Sequence, residues 1–145
     1  MLKSLRVLIV EDEALLAMEL EGIIEDAGHT VVGWATSSVK AKRMIDEVEA
    51  DVAFVDMNLT DGLTGMDVAA YIRDRKASVV VFLTANPRRI AEDYAGAIGV
   101  ISKPYTANGL TAALRYIQEG VFDPPPASSR PSGFTLSPQY SGQWR

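Results

Sequence analysis

The chain has 145 residues, 48% of them hydrophobic, with 14 Lys and Arg against 19 Asp and Glu, a net charge of -5 and no cysteine. A domain near this size buries roughly two-thirds of its unfolded surface, so one core is expected. The acidic balance, with no basic stripe, argues against a nucleic-acid partner, and the missing cysteines exclude disulfides and thiolate metal sites. The longest apolar runs, VLIV and VVVFL, are too short to cross a bilayer, and no apolar leader segment follows the N-terminus. A cytoplasmic protein with no membrane partner is expected.

Five short, β-branched or apolar runs read as buried strands: residues 5–10, 30–35, 51–55, 79–83 and 98–102. Helical patterns lie between them. Leu15, Leu16, Leu20, Ile23 and Ile24 follow the helix period and stop at Gly28, a natural C-terminal cap. A second helix after Ser37 and Ser38 is expected to bury Val39, Met44, Ile45 and Val48. A third starts at Thr64, with Asp67 placed as in a capping box, and carries Val68, Ala69 and Ile72. A fourth begins at Asn86 and Pro87, with proline at the favoured first helical position. A fifth starts at Thr106, where Tyr105 and Leu110 are spaced as a hydrophobic staple, and presents Leu110, Leu114 and Ile117.

Such alternation implies right-handed crossovers and a parallel sheet covered on both faces. The expected fold is doubly wound α/β, a flavodoxin-like (βα)5 arrangement with a five-stranded parallel sheet over residues 1–122. Residues 123–145 form a Pro, Ser and Gly-rich tail, expected to be disordered. From Pro124 onward the tail holds Arg130 and Arg145 and no acid, so it is expected to lie loosely on an acidic domain.

The strand ends carry the chemistry. Glu11 and Asp12 follow the first strand, Asp56 the third, Thr84 the fourth and Lys103 the fifth. Carboxyl ends of parallel strands are where open α/β sheets build their sites. A nucleotide-binding version of this fold would place glycines after the first strand, whereas this loop reads Glu11, Asp12, Glu13. Carboxylates repel a bare phosphate, so an anion nearby requires a cation between them, and hard oxygen donors suit Mg²⁺. Taken alone, Asp12 reads as a cap for the first helix. Asp56 ends the apolar strand VAFVD, where an ionised group is costly unless paired or metal-bound, and first and third strands are neighbours in this fold. With Mg²⁺ bound, Asp56 stays ionised and can attack phosphorus. The Thr84 hydroxyl can donate to one phosphoryl oxygen and the Lys103 ammonium can offset charge on another. His29, in a helix-to-strand loop, reads as solvated, and Trp34 and Met44 read as packing residues. A Ser-His-Asp hydrolase is excluded, because no G-x-S-x-G elbow is present. Lys103 precedes Pro104 in a tight turn that can hold a cis bond, although trans is the default.

Glu11-Asp12, Asp56, Thr84 and Lys103-Pro104, in this order on this alternation, resemble the receiver domain of two-component response regulators, over residues 5 to about 120. The resemblance implies that Asp56 accepts phosphate from a phosphohistidine on a sensor histidine kinase or histidine phosphotransfer protein. It implies that Glu11, Asp12, Asp56 and the backbone carbonyl of Asn58 arrange the Mg²⁺ site, that Thr84 and Lys103 bind phosphoryl oxygens, and that Asn58 and Asn86 tune dephosphorylation. It also implies a downstream protein partner and a homodimer through the face of the fourth helix, fifth strand and fifth helix. One position departs from the family: an aromatic often stands three places before the lysine as a rotameric switch, and here that place holds Val100. The expected protein is a stand-alone signalling switch or phosphorelay element that phosphorylates and dephosphorylates itself but is no metabolic enzyme. The alternatives are a degenerate receiver used as a constitutive protein-binding module and a small Mg²⁺-dependent phosphatase.

Overall fold

The computed structural model describes residues 2–59, 62, 64–75, 78–86 and 94–144. In chain order these form β1 (Arg6–Val10), α1 (Ala14–Asp26), β2 (Thr30–Ala35), α2 (Ser38–Glu47), β3 (Val52–Asp56), α3 (Gly65–Arg75), β4 (Val79–Thr84), β5 (Gly99–Ser102), α4 (Ala107–Phe122) and β6 (Phe134–Leu136). Short 3-10 turns span Tyr94–Gly96 and Pro138–Tyr140. The helix expected to begin at Asn86 and Pro87 falls at residues 87–93, outside the described residues, so α4 is the helix expected fifth.

The sheet runs in the order β2-β1-β3-β4-β5-β6. The first five strands pair in parallel, as expected for a doubly wound fold. Alternate residues of each strand point to opposite faces, so Val7 and Ile9 of β1 enter one core with α1 and α4, while Leu8 and Val10 enter the other with α2 and α3. Both faces being covered explains why these strands are continuously apolar instead of alternating.

Local signals account for several helix ends. Gly28 takes φ +93, its N–H bonds the Glu25 carbonyl and the His29 N–H bonds the Ile24 carbonyl, a Schellman closure that glycine makes without steric cost. Ser37 caps α2 by accepting from the Lys40 N–H at 3.2 Å, and Thr106 caps α4 by accepting from the Gly109 N–H at 2.9 Å. Tyr105 packs against the core that holds Leu110. At the start of α3 the Thr64 carbonyl accepts from the N–H groups of Asp67 and Val68.

Several expectations are corrected. Asp12 does not cap α1: Glu13 occupies the cap position and makes no side-chain cap bond. Leu15 and Val39 satisfy the helix period yet stand 81% and 62% exposed, because α1 seats on Ala17, Leu20 and Ile24 and α2 on Ser38, Ala41 and Ile45. His29 is buried, and its Nδ1 accepts from the Leu5 N–H at 2.9 Å, tying the α1–β2 loop to the entry of β1.

The tail is the largest difference. In place of a five-stranded sheet there are six strands, because Phe134–Leu136 pairs antiparallel with β5. Phe134 and Leu136 are buried and Thr135 is exposed, the alternation of an edge strand with one covered face. Trp144 is buried against α4, while Arg130 is exposed, so the described tail is seated by apolar packing and backbone pairing and not by Arg130. Composition marked the stretch as polar and turn-rich, and three residues are too few to register as a strand against that background.

Candidate functional site

Register brings the polar strand ends to one level. Val10 pairs with Val55, so Glu11 and Asp56 follow side by side, and Thr84 of β4 pairs with Ser102 of β5, after which comes Lys103. Asp56 pairs with Leu83, the neighbour of Thr84. Parallel pairing thus gathers residues far apart in the chain at the carboxyl edge of β1, β3, β4 and β5.

Asp56 is 6% exposed and both its oxygens are engaged. Oδ1 accepts from the Asn58 N–H at 2.9 Å and Oδ2 from Lys103 Nζ at 2.6 Å. Lys103 Nζ also donates to Glu11 Oε1 at 3.3 Å, and Glu11 Oε2 accepts from the Glu13 N–H at 3.2 Å. Burial raises the Glu11 pKa to about 7, the Glu13 N–H opposes this, the Asp56 charge adds to it and the Lys103 ammonium opposes it. For Lys103, burial disfavours the ammonium, but hydrogen bonding to Asp56 and the charges of Asp56 and Glu11 outweigh it, leaving the pKa raised. Lys103 therefore remains a cation held between two acids.

Carboxylate oxygens of Glu11, Asp12 and Asp56 lie within 4.8 Å of one another, with Asp12 exposed at the mouth. Three hard oxygen donors without histidine or cysteine fit Mg²⁺, which takes a few carboxylates and keeps several waters. Asn58 lies at the edge of this cluster, where its amide engages Asp56.

Thr84 is buried and its Oγ1 accepts from the Asn86 N–H at 3.0 Å, the same two-residue turn that Asp56 makes with Asn58. The Thr84 carbonyl accepts from the Lys103 N–H at 2.9 Å, and the Lys103-Pro104 peptide is cis instead of the default trans. Val100 is buried in the core shared with Phe82 and Ala97, opposite Thr135 of β6.

Two contributors were not legible in the sequence. Gly65 opens α3 directly beneath the acceptor strand: a Cβ there would lie 2.4 Å from the Asp56 carbonyl oxygen and 2.7 Å from Met57 Cα. Trp34, read as a packing residue, is 40% exposed, and its Nε1 donates to the Glu11 carbonyl at 2.7 Å, holding the acidic loop. A glycine at the first position of α3 was the one available signal, while the Trp34 bond depends on the pairing of β1 with β2.

A family profile for the response regulator receiver domain matches residues 7–115. The chain belongs to that family. This receiver is 31% identical over 110 residues to the phyllosphere-induced regulator PhyR of Methylorubrum extorquens, a match covering 74% of this chain and 41% of PhyR. It is 30% identical over 118 residues to the chemotaxis protein CheY of Thermotoga maritima, covering 79% of this chain and 98% of CheY. The receiver domain of Erythrobacter litoralis PhyR, solved by NMR, superposes with a TM-score of 0.71 at 28% identity, covering 79% of this chain and 89% of that domain. The chain thus spans less than half the length of the Methylorubrum PhyR but nearly all of CheY. Among the described residues no helix is long and apolar enough to cross a membrane.

Proposed function

We propose that this receiver is a signalling switch or phosphorelay element that accepts a phosphoryl group on Asp56 from a phosphohistidine of a sensor histidine kinase or histidine phosphotransfer protein. The observation that carries the reading is the 2.6 Å contact of Lys103 Nζ with the buried Asp56 Oδ2, in a cluster of three acids at the strand ends. An Asp56 oxygen attacks phosphorus, the P–N bond breaks with its electron pair returning to the imidazole nitrogen, and a P–O bond to the carboxylate forms. Glu11, Asp12 and Asp56, with the Asn58 carbonyl, would hold Mg²⁺, which when bound supplies positive charge that offsets the carboxylates against the incoming anion. Lys103 then moves from the carboxylate to a phosphoryl oxygen, and the Thr84 hydroxyl donates to another. The protein turns over no external metabolite: its chemistry is confined to loading and unloading its own aspartate.

The rim of the site supports a protein donor. Leu15 and Met18 of α1 stand 81% and 63% exposed as helical neighbours three apart, and Leu15 lies one turn before Glu19. Glu19 lines a cavity of about 320 Å³ with Leu16, Ala85, Lys103, Pro104 and Tyr105. An apolar helix surface beside the acceptor suits the docking of a donor's helix.

Acetyl phosphate with Mg²⁺ is expected to add one phosphoryl group to the wild type by intact mass and none to Asp56→Asn. No addition to the wild type sinks the reading and favours a constitutive binding module, and equal addition to both sinks it by placing the acceptor elsewhere. Sustained release of phosphate from simple monoesters would favour a phosphatase instead.

A further inference from the structure

The C-terminal segment is seated by features of the domain body that have no other evident use. A Cβ at Gly99 of β5 would lie 2.5 Å from the Thr135 carbonyl oxygen and 2.8 Å from the Phe134 ring. A Cβ at Gly120 of α4 would lie 2.6 Å from the Trp144 ring. Both positions are clear of side chain where the tail needs to approach. Glu119 accepts from the N–H and hydroxyl of Ser128 at 2.7 and 3.0 Å, and the Tyr116 hydroxyl donates to the Trp144 carbonyl. The Ser137 N–H donates to the Ile98 carbonyl at 2.7 Å. The seat nevertheless carries a cost: the Ser137 hydroxyl is buried with no hydrogen-bond partner among the described residues. That cost falls at the end of a strand only three residues long.

The seat is one peptide unit from the site. The Ser102 N–H donates to the Gly133 carbonyl at 3.2 Å, and Ser102 is followed by Lys103, whose backbone is tied to Thr84 and whose ammonium is tied to Asp56. A cavity of about 210 Å³ lies between Pro104–Thr106, just after Lys103, and Gly133 and Phe134, leaving room for that turn to shift. Val100, where the family often has a swinging aromatic, is a small buried side chain on the strand that pairs with β6.

We infer that residues 128–144 are the output element of this receiver, an intramolecular strand that occupies the β5 edge and the α4 face and is released when Asp56 is phosphorylated. The inference rests on the phosphoacceptor reading of Asp56. As Lys103 follows the phosphoryl oxygen, the Ser102–Lys103 peptide moves with it and the bond to Gly133 weakens. Release bares a strand edge beside the aromatic ring of Tyr116, a surface that accepts an extended partner segment by strand addition.

Hydrogen exchange by mass spectrometry on the full chain tests this, with acetyl phosphate and Mg²⁺ and intact mass read in parallel. Peptides covering residues 133–144 are expected to exchange about tenfold faster in the phosphorylated wild type, with no change in Asp56→Asn. Gly120→Ala, which favours the α4 helix while crowding Trp144, is expected to exchange fast in that segment with or without phosphodonor. Added phosphoryl mass with unchanged exchange over residues 133–144 overturns the inference while leaving Asp56 as acceptor. No added mass overturns both.

Discussion

Lys103 does two jobs in the resting site, and the burial of its partners makes both consequential. Its ammonium is the cation facing Glu11 and Asp56, at 3.3 and 2.6 Å. Lys103→Met should therefore destabilise the metal-free protein by about 1–3 kcal/mol, because two carboxylates are left buried without a counter-charge. Added Mg²⁺ should restore part of that loss, since it supplies charge to the same oxygens. Urea denaturation with and without Mg²⁺ checks this, and equal stability of variant and wild type would show that the ion pair contributes nothing. His29 makes a prediction of opposite character. Burial holds its pKa below the ordinary 6.5, and Nδ1 accepts the Leu5 N–H only when unprotonated. The unfolded chain then takes up a proton before the folded one does, so this contribution to stability is complete above the ordinary pKa and is lost as pH falls below it. Melting temperatures from about pH 8 down to about pH 5 should fall more in the wild type than in His29→Asn, which keeps an acceptor but cannot titrate.

At the scale of elements, α1 shows how a periodic pattern overstates burial. Leu15 fits the helix period yet is exposed beside Met18, because the seat of α1 on the sheet is satisfied by Ala17, Leu20 and Ile24. The two side chains are left exposed, where the proposed donor protein would meet them. Leu15→Ser with Met18→Ser should slow phosphorylation by a cognate histidine kinase by about tenfold, the scale of a lost interface anchor. Loading by acetyl phosphate should be unchanged, as should the melting temperature. Equal slowing with both donors would place the defect in the site and not in docking. β6 errs in the opposite direction: a segment whose composition reads as disordered is held by Phe134, Leu136 and Trp144. Those residues become informative only once β5 presents an unpaired edge and Gly120 a notch for them.

Across the whole molecule, a site assembled from four strand ends would bind Mg²⁺ only when the sheet is formed. Bound Mg²⁺ should therefore add to global stability by mass action, by about 2.7 kcal/mol at a hundredfold excess over its dissociation constant. Chelation should lower the melting temperature of the wild type accordingly and leave that of an Asp12→Ala, Asp56→Ala double variant unmoved. A wild-type melting temperature indifferent to Mg²⁺ would remove the metal from the proposal.

What was legible in the sequence was whatever depends on local periodicity. Short apolar runs separated by helical patterns determine a doubly wound parallel sheet, and because residues that end such strands gather at one edge, Glu11, Asp12, Asp56, Thr84 and Lys103 could be named from order alone. What only the tertiary structure decided depends on pairs distant in the chain: the burial of His29 against Leu5, the Trp34 bond to Glu11, the close approach of Gly65 to Asp56, and the docking of Trp144 on Gly120. None of these leaves a periodic trace. Each exists only where the register of the sheet and the packing of a helix bring a backbone group or a missing side chain opposite something that fits it.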